Sequence, residues 1–356
     1  GLAACLVVLF HSPFTFAGKP TAFIANSYLF VDFFFILSGF VMSHAYGHKI
    51  GRDLNFGYYI TLRLGRLYPL HLFMLLVWLP FIVIKQLMYL KGFGGTDQSS
   101  DHNVNSFLAN VFLVHALGFT NEVSWNIPSW SISAELFAYV AFYFITSYLD
   151  KKQSLVLPLA IALCSYIFLF SLRRKTFDIT YDFGFLRCLA AFYIGVFLFR
   201  IRPRAQRWFD GRAINGFEIV AFAAMLIAVA FAGDGQLFIA LTLLSFTLVL
   251  LIFSADRSGW LGKFLMSDIP RTLGLWSYSI YMVHKIILIF ASNLFEFGLH
   301  MNVRGAWGYK AIALNAAMLL ITIAISRFTY IYIEKYFRDW VRQRLTGARG
   351  AEQPAA

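Results

Sequence analysis

The sequence predicts an all-α, polytopic membrane helix bundle of about ten transmembrane helices plus one short re-entrant or interfacial helix, with both termini cytoplasmic. Three observations carry that expectation. Of the 356 residues, 59% are hydrophobic and 13% charged, against about 45–50% and about 25% in soluble domains, which excludes a soluble globular enzyme. Mean hydropathy is +0.67, and apolar runs recur at the roughly 20-residue length a membrane span needs, with 40 Phe, 18 Tyr and 8 Trp to supply lipid-facing and interfacial aromatics. The basic residues, finally, gather on one side of those runs.

The runs fall at about 1–17, 24–46, 68–90, 130–149, 154–172, 184–201, 216–232, 236–254, 273–297 and 309–333. A further run, 105–119, is shorter and holds Asn105, Asn110 and His115, so it reads as re-entrant or interfacial. With the N-terminus inside, the inner segments carry 19 Lys/Arg and the outer ones 6, as the positive-inside rule requires. Counting 105–119 as a span would invert everything after it and spoil that asymmetry. The net charge of +12 therefore belongs to cytoplasmic loops, and no nucleic-acid partner is expected. Residues 1–345 read as one membrane-embedded domain, whose first helix is expected to be truncated at Gly1, and 346–356 as a disordered cytoplasmic tail. Cys5, Cys164 and Cys188 sit in apolar runs at unrelated spacings and read as small buried apolar residues, with no disulfide or metal pattern.

Titratable groups inside spans are costly and mark candidate sites. His11 is placed about 16 Å along the first helix at 1.5 Å per residue, where an imidazole serves as a general base or bonds a neighbouring helix. Asp32 opens the second run and either orients His11, in the manner of carboxylate–imidazole pairs, or stabilises a helix N-terminus. Ser38 and Gly39 permit close helix packing. Arg63 and Arg66, at i and i+3 in RLGRLYP, share a face at the cytoplasmic mouth of the third helix, with Pro69 read as the helix start. Paired guanidiniums suit phosphate, or simply anchor the inner surface. In NIPSWSISAELFAY, Ser131, Glu135 and Tyr139 fall at i, i+4 and i+8 beside a stripe led by Trp130, either a substrate site or a structural hydrogen-bond network. In the ninth run, Ser277, Tyr281 and His284 share one face. Glu334 reads as paired with a nearby Arg or Lys.

Together GLAACLVVLFH, VDFFFILSGF, RLGRLYP, WSISAELFAY, LGLWSYSIYMVH and YIYIEKYFR resemble, in the same order, the blocks of acyltransferase family 3, the membrane-bound O-acyltransferases of bacterial cell-surface carbohydrates. The likeness runs from Gly1 to about Arg338. His11 matches that family's first-helix histidine, whose basic partner would fall immediately before Gly1. Leu136 stands where a second acidic residue often follows the glutamate, and Phe30 where a glycine usually precedes the valine–aspartate pair.

The resemblance implies acyl-CoA, usually acetyl-CoA, as co-substrate, with no permanently bound cofactor and no metal. It implies a carbohydrate or lipid-linked glycan hydroxyl as acceptor, at the bacterial inner membrane. On this reading His11 is the general base, with Asp32 and Glu135 as catalytic partners, and Arg63 and Arg66 hold the donor. Trp130, Ser131, Tyr139, Ser277, Tyr281 and His284 shape the acceptor or acyl pocket. The alternatives are a glycolipid or small-molecule transporter or flippase whose proton path uses His11, Glu135 and His284, and a non-catalytic membrane scaffold. The lack of matched, Gly/Pro-broken segments in two halves disfavours a transporter.

Overall fold

A computed structural model describes residues 1–93, 95–205, 213–255, 258–303 and 305–351, with side chains described as far as Leu345. The order is α1 (Leu2–Phe10), α2 (Ala22–Ala25), α3 (Phe30–Tyr46), α4 (Phe56–Leu90), α5 (Val104–Val111), α6 (Trp130–Phe144), α7 (Val156–Ser171), α8 (Gly184–Ala205), α9 (Ile214–Phe231), α10 (Gln236–Phe253), α11 (Trp260–Leu265), α12 (Asp268–Leu275), α13 (Ser277–Asn293), α14 (Tyr309–Thr329) and α15 (Tyr336–Ala351). No strand occurs among the described residues. All ten apolar runs are helical, and 8 helical stretches are long and apolar enough to cross a membrane. The other two runs give α7, apolar but shorter, and the nine-residue α1. Large apolar side chains stand outward along these helices, Ile84 57%, Ile227 60% and Leu320 67% exposed. Such a belt is tolerable only against lipid.

Several boundaries differ from the sequence reading for identifiable reasons. The first helix ends at Phe10, with His11 as its C-cap, because Pro13 biases Ser12 away from helical geometry. His11 therefore caps a helix end and does not lie within a continuous span. α4 begins at Phe56, capped by the Asn55 side chain accepting from the Tyr58 N–H at 2.8 Å, and runs through Pro69 and Pro80. Pro69 is thus interior, and Arg63 and Arg66 lie two to three turns inside the helix. Near this proline the Tyr278 hydroxyl of α13 donates to the Leu67 carbonyl at 2.6 Å, tying α13 to α4. In the 105–119 run only α5 is helical; it carries an Asn103/Ser106 capping box, and the His71 imidazole donates to the Asn110 carbonyl at 2.8 Å. Cys164 is exposed, whereas Cys5 and Cys188 are buried. Helical backbone continues through Ala351, and the remainder of the expected tail, 352–356, lies outside the described residues.

The tightest packing joins α3 to α8. A Cβ on Gly39 would stand 1.8 Å from the Phe192 carbonyl oxygen, and one on Gly195 would stand 1.9 Å from that of Ile36. The two backbones touch, each through the other's glycine, as small residues permit between membrane helices. Gly195→Ala should therefore lower the melting temperature of detergent-purified protein, overpacking costing about 1–3 kcal/mol or more. Gly216→Ala, whose methyl meets open space in α9, should leave it unchanged or raise it, since alanine is the better helix former.

Candidate active site

α3, α4, α6 and α13 enclose a cavity of about 170 Å³ lined by Ser38, Arg66, Ser131, Glu135, Tyr139, Ser277, Tyr278 and Tyr281 together with apolar side chains. The helical spacing of Ser131, Glu135 and Tyr139 delivers all three to it. Glu135 Oε1 accepts from the Ser38 hydroxyl and from the Tyr139 hydroxyl, each at 2.5 Å, and those two hydroxyls are 2.9 Å apart. Among the described residues Glu135 Oε2 takes no hydrogen bond. The Ser131 hydroxyl donates to Tyr281 Oη at 2.9 Å, and Tyr281 donates to the Pro128 carbonyl at 2.9 Å. Ser277 lines the cavity, but its hydroxyl bonds the Gly274 carbonyl.

A second cavity, about 580 Å³, opens beside the first and is lined by Tyr46, Lys49, Asp53, Tyr58, Arg63, Arg66, Arg338, Asp339 and Arg342 among others. Five of those side chains are cationic and two anionic, so the cavity is net positive and suited to a polyanion. Arg63 is fixed by donating to Tyr46 Oη at 2.6 Å, its guanidinium 4.8 Å from that ring's centre. Arg66 lines both cavities. It makes no hydrogen bond or ion pair among the described residues, and its charge acts on Tyr139, Glu135, Glu334 and Tyr278. A guanidinium left without a fixed partner between two cavities is available to a ligand.

His11 and His284 stand together beside the first cavity without lining it. Their rings are 4.9 Å apart, with His284 Nε2 3.2 Å from His11 Nδ1. His284 Nδ1 is 2.6 Å from the carbonyl oxygen of Tyr281, the residue whose hydroxyl faces the cavity. The Lys285 charge acts on both imidazoles.

The expected pairing of Asp32 with His11 is not what the structure contains. Asp32 is fully buried and receives a two-pronged grip from Arg187, whose Nε lies 3.0 Å from Oδ1 and whose terminal nitrogen lies 2.6 Å from Oδ2. The same guanidinium sits 5.3 Å from the Trp130 ring centre, 5.4 Å from Phe177 and 5.8 Å from Tyr28. The physical reason is that a fork of fixed donors matches a carboxylate better than one imidazole nitrogen does, and a buried arginine needs a counter-ion. Trp130 therefore faces this ion pair and not the cavity.

Sequence reasoning missed Arg187, although a charged residue inside a span is a signal in itself. It took Ser38 only as a packing residue. Nor did it connect Arg338 and Arg342, one turn apart on α15, with the basic cavity that they line. Glu334 forms no ion pair among the described residues; its Oε2 accepts from the Ser279 hydroxyl at 2.9 Å, while the charges of Arg66 and Arg338 act on it. No cluster of metal ligands occurs among the described residues.

The chain that builds this site has relatives in sequence. Residues 1–331 match the acyltransferase domain family, and the chain belongs to that family. "Protein 2 in picA locus" of Rhizobium radiobacter is 39% identical over 84 residues, 23% of this chain and 42% of that protein. YrhL of Bacillus subtilis (strain 168), described as a candidate peptidoglycan O-acetyltransferase, is 24% identical over 366 residues, covering 94% of this chain and 53% of that protein. The chain thus spans about half the length of these curated relatives or less. No solved structure matches.

The ion pair yields a test of its own. Asp32→Ala leaves Arg187 buried and uncompensated and should lower stability by about 3–5 kcal/mol. Replacing both residues by leucine should recover most of that loss. Thermal unfolding of the three proteins in detergent checks this.

Proposed function

We propose that this chain transfers an acyl group, acetyl in the first instance, from acyl-CoA to a hydroxyl of a cell-surface carbohydrate or lipid-linked glycan at the bacterial inner membrane. The observation that carries the reading is Arg66, which lines both the net-positive cavity and the Glu135 cavity. The nucleotide phosphates of the donor would sit among Lys49, Arg63, Arg338 and Arg342, in the part of the chain that the charge asymmetry assigns to the cytoplasm. The thioester arm would pass Arg66 towards Ser38, Glu135 and Tyr139. Guanidiniums suit the phosphates because they present paired donors in a plane.

The acceptor oxygen attacks the thioester carbonyl while His11 takes its proton. The tetrahedral intermediate then collapses, the C–S bond breaks, and the departing thiolate receives the proton from His11. Glu135, its Oε1 held by two hydroxyls and its Oε2 left to the cavity, is placed in this reading to accept an acceptor hydroxyl. Ser131, Tyr139, Ser277 and Tyr281 line the acyl or acceptor pocket. Asp32, Arg187 and Trp130 are assigned to holding α3 against α8, which positions Ser38.

Release of CoA from acetyl-CoA by purified protein tests the assignment, with acceptor glycan added and omitted. His11→Ala should lower turnover about 10²–10⁴-fold, the usual contribution of a general base, with the KM for acetyl-CoA nearly unchanged. Near-normal turnover in that variant would sink the role of His11. Arg66→Ala and Arg338→Ala should do the opposite, raising the donor KM several-fold with a smaller change in kcat. If acetyl-CoA and longer acyl-CoAs neither bind by calorimetry nor react, the donor assignment fails. Glu135→Gln should lose at least about tenfold in kcat while keeping its melting temperature, because the amide preserves an oxygen for Ser38 and Tyr139.

A further inference from the structure

The imidazole pair carries one step more, which rests on His11 being the base. We propose that His284 is a positioning residue that fixes His11 in the tautomer whose basic nitrogen is Nε2. The argument is one of donors and acceptors. A backbone carbonyl only accepts. The Tyr281 carbonyl lies 2.6 Å from His284 Nδ1, so Nδ1 carries the hydrogen, and in the neutral ring His284 Nε2 keeps its lone pair. The Val7 carbonyl lies 3.0 Å from His11 Nδ1, so that nitrogen also carries a hydrogen. His284 Nε2, 3.2 Å away, accepts the same N–H as a second partner. Both outward preferences agree, and His11 Nε2 is left as the unprotonated nitrogen.

His284 thus does for His11 what Asp32 had been expected to do, but with a neutral acceptor. The choice has a physical consequence. An imidazole acceptor sets the tautomer without adding a charge beside that of Lys285, which already acts on both rings. When His11 takes the proton from the acceptor hydroxyl, its Nδ1–H becomes a charged donor, and the bond to His284 Nε2 strengthens as charge develops. The interaction is stronger in the transition state than in the ground state, so it acts on kcat and not on donor affinity. His284 is completely buried and is not among the residues lining the Glu135 cavity; it acts through His11.

The test has a spectroscopic arm and a kinetic arm. Wild-type protein labelled with ¹⁵N-histidine, with the His11 signals identified by their loss in His11→Gln, should show His11 protonated on Nδ1. A His11 ring protonated on Nε2 overturns the proposal, whatever the kinetics. In CoA release, His284→Ala should lower kcat by about 10-fold to 10⁴-fold, the upper figure being the cost of a wrong tautomer in a serine-protease triad, with the KM for acetyl-CoA unchanged. His284→Gln, whose side-chain oxygen can accept the His11 N–H, should recover part of that rate. Wild-type kcat in both variants overturns the proposal. Should His284→Ala fail to fold, His284→Phe, which keeps the bulk of the ring and offers no acceptor, takes its place, and wild-type kcat in that variant overturns the proposal. If His11→Ala keeps its turnover while His11 is protonated on Nδ1, the tautomer assignment stands and the base assignment falls, so the two failures are distinguishable.

Discussion

The buried pair of Asp32 and Arg187 is the interaction on which the rest of the structure depends. Both side chains are essentially inaccessible, in a region where neither water nor lipid can solvate a charge. Neither could be buried without the other. Their fork geometry leaves little freedom in the rotation of α3 about its axis, and Gly39 and Gly195 bring the α3 and α8 backbones into contact. Six residues along α3 from Asp32, that fixed rotation delivers Ser38 to Glu135. A polar site in a helical membrane bundle needs such an anchor, because apolar contacts against lipid do not specify how a helix is turned.

The polar groups near the site divide by whether the protein satisfies them. Asp32, Arg187 and Glu334 have their partners within the fold. Glu135 Oε2 and the Arg66 guanidinium have none among the described residues, and both groups line a cavity. A carboxylate oxygen and a cation left free inside a bundle are costly unless a ligand or water completes them. The division therefore separates groups that build the scaffold from groups available to substrate, and it does so without reference to residue type. Two aspartate or glutamate residues in neighbouring helices fall on opposite sides of it.

Much of this was legible in one dimension. The length and polarity of the ten apolar runs express the solvent, not the neighbours, so all ten are helices. The i, i+4, i+8 spacing of Ser131, Glu135 and Tyr139 and the i, i+3 spacing of Arg63 and Arg66 are properties of a single helix, and each stripe holds. Boundaries were less legible where two signals compete. Pro69 reads as a start, yet the Asn55 cap and the packing of α4 carry the helix through it. Pro13 stops α1 within a run whose hydropathy gives no warning.

What the sequence determined by itself is therefore the local and the solvent-imposed: helices, spans, one-helix stripes and the resemblance to a family. Only the tertiary structure decided partnership across helices. Asp32 chose Arg187, 155 residues away, and not His11; His11 met His284; Ser38 met Glu135; and Arg338 and Arg342 folded back beside Arg63. The reason is that an ionisable group in a low-dielectric interior is assigned by whichever complementary group reaches it with the better geometry. That competition is settled by helix rotation and close approach, which no spacing along the chain records.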